Sequence, residues 1–249
     1  MIGPPGEQLR NVAGIFNESR AAARGGVGAV MGSKGLKYVM VDPGKTGVRQ
    51  PADRKKFGEL TKDYSKTYLE GPQMFKTGTS GIVPVANMLN TFPYKNRTAG
   101  QSPDVGTLDG KNIIESFATR GGGMHNCMTG CIVRCSNIVH DAEGNYKTSA
   151  LEFETLALLG ASCAVASWEE VAELDRACDE VGLDTIETGA ALAVLMDAGK
   201  MTWGDSKAMK ALILAYQAEA MSFETMYEQM SKRGITRPNV NAAAERAQI

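Results

Sequence analysis

Cys127-Met-Thr-Gly-Cys131-Ile-Val-Arg-Cys135 places three of the chain's five cysteines in a C-x3-C-x3-C spacing. Gly121, Gly122 and Gly123 precede it, Gly130 lies inside it, and a polar stretch over 136–146 follows. Thiolates are soft, strong ligands for iron and zinc. Glycine admits backbone angles that other residues resist, so a short loop of this kind can wrap several thiolates around one metal centre. Only His125 and His140 supply imidazole. Three clustered thiolates beside so little histidine favour an iron–sulfur cluster over a structural zinc site. Inert buried cysteines and a partial zinc site are the alternatives that the spacing leaves open.

The surrounding chain has 249 residues and 43% hydrophobic content, enough for one large or two modest domains. Its 27 basic and 28 acidic residues give a formal charge of -1, so no basic surface points to nucleic acid. No run of about 20 apolar residues predicts a membrane span. Met1-Ile-Gly-Pro-Pro-Gly lacks the basic and apolar regions of a signal peptide. An odd number of cysteines suits a reducing compartment, and a cytoplasmic location is expected. The punctuated start, with a helical pattern directly behind it, leads to the expectation that structure before Met1 is missing.

Leu9, Val12, Ile15 and Phe16 recur at helical spacing and predict a helix over 8–23, broken by Gly25, Gly26, Gly28 and Gly32. Two short strands are expected over 27–31 and 36–41, around a turn at 32–35. The glycine-rich block over 24–34 does not match G-x4-G-K-[ST], because Ser33 precedes Lys34, and it lacks the preceding strand of a dinucleotide fingerprint. It reads either as a tight turn or as a close backbone approach to an anionic cofactor, with Arg20 and Arg24 gripping phosphates in fork geometry.

A charged helix is predicted over 52–69, with Phe57, Leu60 and Tyr64 on its apolar face. The loop-rich region 76–106 holds a short helical piece at 83–89, and another is expected at 113–119. Leu151-Glu-Phe-Glu-Thr155 opens an apolar helix running to 164. Glu152 and Glu154 read either as acids at a positive helix end or as acid/base groups facing a pocket. Ser167-Trp-Glu-Glu170, Asp184-Thr-Ile-Glu187 and Thr202-Trp-Gly-Asp205 each read as a capping box that starts a helix, the second running to about 197 and the third to 218. A last helix is expected over 222–231, and the tail 237–249 shows no packing pattern. Short connections between these helices imply an antiparallel, largely helical domain.

In order, Ile2-Gly-Pro-Pro-Gly-Glu7, the block 20–34, Gly78-Thr79, the three-cysteine loop, Leu151-Glu-Phe-Glu-Thr155 and Asp179-Glu-Val-Gly-Leu-Asp184 resemble the tungsten- or molybdenum-containing aldehyde:ferredoxin oxidoreductase family. The resemblance implies a mainly α-helical, cluster- and pterin-binding middle domain over 49–249, preceded by a short α+β remnant of the N-terminal pterin-binding domain over 1–48. It implies further that the N- and C-terminal parts of the family's chain are absent, with a fourth cluster cysteine lying beyond Ile249.

The implied cofactors are a 4Fe–4S cluster, a bis-pterin tungsten or molybdenum centre (tungstopterin or molybdopterin) and a bridging magnesium. Carried over, Cys127, Cys131 and Cys135 are cluster ligands, although the first gap is one residue longer than the C-x2-C-x3-C of many members. Arg20, Ala21, Arg24, Gly25 and Gly26 fall on the segment that meets pterin phosphates and magnesium. Asp179, Gly182 and Asp184 fall on the pterin-binding D-x-x-G-x-D element. Glu154, or in the neighbouring register Glu152, falls on an acidic residue near the metal. The implied activity is oxidation of an aldehyde to a carboxylic acid, with ferredoxin or another electron-transfer protein as partner, a small aldehyde or other oxo compound as substrate, and room for a homodimer. Two further readings stay open: an electron-transfer or assembly protein carrying a cluster alone, and an inactive fragment.

Overall fold

Gly28 and Gly32 stand one helical turn apart, and their spacing decides the N-terminal architecture. In a computed structural model of the chain, residues 1–215 are described apart from 19, 43, 46, 48 and 72–75. Helix α1 (Pro4–Glu7) packs against α2 (Val27–Ser33), with Gly32 at that contact and Gly28 against the segment before β1. A Cβ on Gly32 would collide with the Gly6 carbonyl, and one on Gly28 with the backbone of Ala13 and Gly14. The two strands expected over 27–31 and 36–41 are therefore corrected. The first is helix α2, because glycines four residues apart share one helix face and let backbones meet. The second has no regular structure, and Tyr38, Val39, Met40 and Val41 are exposed.

The helix predicted over 8–23 is also absent. Strands β1 (Ile15–Asn17) and β2 (Arg20–Ala22) form an antiparallel hairpin there, with Phe16 opposite Ala21. Leu9, which should have joined a buried stripe, has φ 59 and is exposed. Tertiary pairing overrides the local pattern. Gly14 N–H donates to Gly182 O at 3.1 Å, and Asp184 N–H donates to Val12 O at 3.0 Å. The segment is thereby held extended against the loop between the two central helices.

Those helices follow their sequence signals closely. Helix α3 (Arg54–Glu70) starts at Asp53, whose side chain accepts from Lys56 N–H. It buries no residue, so Phe57, Leu60 and Tyr64 are an exposed face and not the expected core contact. A 3-10 turn (Thr79–Ile82) leads into α4 (Val83–Met88), followed by α5 (Val105–Leu108) and α6 (Gly110–Arg120). Strands β3 (Gly123–His125), β4 (Ser136–His140) and β5 (Tyr146–Ser149) form an antiparallel sheet in that order.

The helix expected over 151–164 is present as a composite. It comprises α7 (Phe153–Thr155), a π-helical turn (Leu156–Gly160) and a 3-10 turn (Ala161–Cys163). Helix α8 (Trp168–Val181) is capped by Ser167, which accepts from Glu169 N–H at 3.2 Å. Its stripe of Val171, Leu174, Cys178 and Val181 is fully buried, each large apolar side chain contributing roughly 1.5–3 kcal/mol. Gly182, at φ 90, closes it.

Asp184 caps α9 (Thr185–Asp197) by accepting from the N–H groups of Ile186 and Glu187. Helix α10 (Ser206–Ala215) is capped by Asp205, which accepts from Ala208 N–H at 3.0 Å, and not by Thr202 as the third box suggested. The end of that predicted helix, at 216–218, the helix over 222–231 and the tail 237–249 lie outside the described residues. The core forms where α8 meets α10, β5 and the π-helical turn, and where α9 meets that same turn. The chain is thus a mainly α-helical domain preceded by a small β-containing segment.

Candidate functional site

Two hairpins and the α8–α9 connection converge on the site. The first hairpin carries the cysteines. His125 pairs with Ser136 across β3 and β4, so residues 126–135 are the hairpin loop. That loop holds Cys127, Cys131 and Cys135. Gly130 at φ 84 and Arg134 at φ 49 bend it, and Arg134 Nη2 donates to Met124 O at 3.2 Å. The thiols are free, with Cys127 exposed and Cys131 and Cys135 half-buried. Burial raises the Cys135 thiol above its ordinary range, and the Glu152, Cys127 and Cys131 charges push the same way.

Among the described residues, no three of His, Cys, Asp and Glu are grouped to hold a single metal ion. A cubane cluster needs a different arrangement, one thiolate for each iron it anchors. Free soft donors on one glycine-bent loop fit that demand. At the base of the loop, His125 Nδ1 and Ser136 Oγ are buried with no hydrogen-bond partner among the described residues.

The second hairpin, β1–β2, presents Arg20 and Ala21 to a cleft of about 280 Å³. Arg24, Glu152, Glu154, Asp175, Asp179 and Asp184 complete its polar lining. Arg20 Nη1 lies 3.5 Å from Glu152 Oε1. Its Nε and Nη2 are buried and have no partner among the described residues. Buried donors of this kind are costly when unpaired, and an anion with several oxygens, such as a phosphate ester, satisfies both at once. Arg24 Nε is 3.8 Å from Asp184 Oδ2, a looser pair with the arginine mostly exposed.

Glu152 is held from its other side as well. Thr79 Oγ1 donates to Glu152 Oε2 at 2.5 Å and accepts from Phe153 N–H at 3.0 Å. The residue before it, Gly78, abuts the Cys135 carbonyl so closely that a Cβ would collide with it. The cysteine loop and the arginine are thereby joined through Gly78, Thr79 and Glu152. Asn137 sets the height of this segment: its amide donates to Leu151 O and accepts from Leu151 N–H, both at 2.9 Å. Glu154 is exposed at the cleft.

On the far wall, burial raises the Asp179 carboxyl to about 7; Arg176 opposes the shift and Glu180 adds to it. Burial likewise raises Asp184, against the opposing N–H groups of its helix cap and Arg24.

Seven of the predicted residues thus meet in one cleft: Arg20, Ala21, Arg24, Glu152, Glu154, Asp179 and Asp184. The cysteines form an adjoining loop. Gly25, Gly26 and Gly182 do not line the cleft; Gly25 N–H is engaged with Glu187 Oε1 at 3.3 Å, Gly26 begins α2 and Gly182 ends α8. Sequence reasoning missed Thr79 as an anchor, Asn137 as a spacer, and the buried pair Asp175–Thr148, in which Thr148 Oγ1 donates to Asp175 Oδ2 at 2.6 Å. Asp175 carried a readable signal, since an acid on the stripe Val171, Asp175, Cys178 breaks an otherwise apolar helix face.

Residues 59–237 match the family model described as aldehyde ferredoxin oxidoreductase, domains 2 & 3, and residues 1–43 match the one for the N-terminal domain. The chain is 36% identical over 202 residues to a tungsten-containing aldehyde ferredoxin oxidoreductase of Pyrococcus furiosus, covering 79% of this chain and 32% of that protein. A protein of the same description from Thermococcus kodakarensis is 31% identical over 242 residues, covering 89% of this chain and 38% of the relative. An aliphatic sulfonate oxidoreductase, WOR-like subunit, of Pyrococcus furiosus is 29% identical over 233 residues, covering 85% and 36%. The chain spans about a third of the length of these curated relatives. The expectation that the N-terminal part is absent is corrected, because residues 1–43 match the N-terminal domain.

Proposed function

Since the chain belongs to the aldehyde ferredoxin oxidoreductase family, we propose that it supplies the cofactor-gripping part of an oxidoreductase that converts an aldehyde to a carboxylic acid. The observation that carries this reading is that Arg20, two of whose nitrogens are buried and unpartnered among the described residues, lines a cleft with Arg24, Asp179 and Asp184. In this reading residues 1–48 belong to a pterin-binding domain and 49–249 to a cluster- and pterin-binding one. Arg20 and Arg24 would hold the phosphate end of a pterin beside Ala21, with the Gly25–Gly26 turn next to them but off the cleft and magnesium, when bound, adding charge neutralisation there. Asp179 and Asp184, set on either side of the Gly182 turn, accept from the N–H groups of the ring. Cys127, Cys131 and Cys135 hold a 4Fe–4S cluster.

When bound, a tungsten or molybdenum bis-pterin centre and the cluster supply two-electron exchange with substrate and one-electron exit to ferredoxin or a similar carrier. Aldehyde and water yield acid, two electrons and two protons. Glu154, exposed at the cleft and free of the ties that hold Glu152, takes one of those protons. Glu152 is a positioning residue, because its two oxygens are engaged by Arg20 and Thr79. Five cysteines, all free among the described residues, fit a reducing compartment such as the cytoplasm; separately, among the described residues no helix is long and apolar enough to cross a membrane.

Elemental and pterin analysis of anaerobically purified protein tests the reading. Iron together with tungsten or molybdenum and pterin is the expected result. Iron alone would favour an electron-transfer role, and folded, colourless, metal-free protein would overturn cofactor binding altogether.

A further inference from the structure

Asp175 is 4% exposed on the inner face of α8, one helical turn before Asp179, and both line the cleft. The neutral Thr148 hydroxyl donates to its carboxyl at 2.6 Å. The charged groups around it are Asp179 and Arg176 on α8 and Glu152 from the segment after β5. The lysines and arginines of the neighbourhood are engaged with other carboxylates, and His125, Glu18 and Tyr146 share a second pocket with Asp179. Arg176 Nε is 2.8 Å from Glu180, Lys147 and Lys210 both bind Glu173 at 3.0 Å, Arg20 binds Glu152, and Arg24 leans on Asp184. A carboxylate buried between two other carboxylates, with its neighbouring cation Arg176 drawn to Glu180, is the costly state. Two acids one turn apart on a helix relieve that cost when one of them keeps its proton.

We propose that Asp175 is the proton-holding partner of Asp179: its neutral carboxyl, buried against Thr148 on the cleft wall, leaves Asp179 as the ionised acceptor that reads the N–H donors of a bound ring. Burial, then the Asp179 and Glu152 charges, push Asp175 well above the ordinary carboxylate range against Thr148 and Arg176, and burial raises Asp179 to about 7. Asp179 is the easier of the two to ionise because it is half-buried, whereas Asp175 is sealed. Asp175 is therefore a positioning residue, acting on a ligand through the charge of Asp179. The ligand half of this inference rests on the reading of Asp179 as a ring-binding group; the protonation half stands apart from it.

The two halves have separate tests on the full chain. Carboxyl carbon resonances followed against pH give the Asp179 midpoint with and without Asp175→Asn, a near-isosteric mimic of the neutral acid. A midpoint that stays near 7 in the variant is expected, because a neutral group has been replaced by a neutral group. A fall of about one unit or more would show that Asp175 was ionised and would overturn the proposal. Thr148→Val is the second variant: it removes the single donor and should drive Asp175 further toward the neutral state, again leaving Asp179 in place. Titration with free pterin, read by quenching of its fluorescence, then tests the ligand half. Affinity should rise with pH through the Asp179 midpoint in parent and Asp175→Asn protein alike, and be lost in Asp179→Asn. Flat binding across that range with an unchanged Asp179 midpoint would overturn the ring-acceptor reading while leaving the shared proton intact.

Discussion

Glu152 Oε1 lies 3.5 Å from Arg20 Nη1, although 132 residues separate the two in the chain. The contact ties the β1–β2 hairpin to the segment that follows the cysteine sheet. It occupies one nitrogen of the guanidinium and leaves the other two buried without a partner among the described residues. A planar fork fixed at one corner is preorganised at the remaining ones, so less rotamer entropy is lost when an anion arrives.

Arg20→Ala should therefore weaken the anion site before it disturbs anything else. Each charge-assisted hydrogen bond removed is worth roughly 1.5–3 kcal/mol, so affinity for inorganic pyrophosphate, measured by calorimetry, should fall at least about tenfold. In anaerobically prepared protein, pterin content should fall with iron content preserved. Equal pterin occupancy in variant and parent would count against the assignment.

The two glutamates separate by how they are held. Glu154→Gln should retain both cofactors and lower turnover by about 10²–10⁴-fold, the usual range for losing a proton-transfer group. Glu152→Gln should instead lower pterin retention, because the charge that fixes Arg20 is gone, and should spare turnover per loaded molecule. The reverse ranking, read from turnover normalised to pterin content, would move the proton role to Glu152.

The helices that begin after Ser167 and Asp184 were legible because their signals are local: an N-cap side chain, an apolar stripe and a closing glycine all lie within a few residues of one another. Asp184 even announced both of its placements, as a cap and as a member of the D-x-x-G-x-D element. The region 8–41 was misread because its structure is imposed from a distance. Val12 and Gly14 bond to residues 182 and 184, and that pairing holds Ile15 and Phe16 extended despite their helical spacing. The glycines at 28 and 32 looked like turn punctuation, yet their four-residue interval is the mark of a helix face pressed against another backbone. Thr79 was visible only as part of the Gly78-Thr79 match, and neither its anchoring role nor that of Asn137 was legible, since each acts through a partner more than ten residues away.

That packing contact gives a stability prediction independent of any cofactor. Gly32→Ala inserts a methyl group where the Gly6 carbonyl already sits, and overpacking of this kind typically costs about 1–3 kcal/mol. Gly35→Ala, whose added Cβ meets no neighbour within 4 Å, avoids that collision and carries only the strain of φ 69, worth about 1–2 kcal/mol. Urea unfolding of the two variants should rank Gly32→Ala as the less stable, with loss of the α1–α2 contact visible as faster amide exchange over 4–7 and 27–33.

The last prediction concerns which thiols are available for metal. Cys163 is fully buried, its Sγ 3.3 Å from the Leu158 and Gly189 carbonyls, and burial lifts its thiol to about 12. Cys178 is buried on the inner face of α8, where burial above all pushes its thiol up as well. Thiolate is the reactive and metal-binding form, so both groups are inert while the core is intact. Cys127, Cys131 and Cys135 lie on a hairpin loop with partial or full exposure. Brief iodoacetamide treatment of metal-free native protein, followed by peptide mass mapping, should label Cys127 first, then Cys131 and Cys135, and should reach Cys163 and Cys178 only in denaturant. Iron retained by anaerobically prepared protein should drop sharply in Cys127→Ser, Cys131→Ser or Cys135→Ser and be unchanged in Cys163→Ser or Cys178→Ser. Loss of iron in either core variant, with the fold preserved by circular dichroism, would place a core cysteine among the ligands and require the α8 face to open when the cluster is inserted.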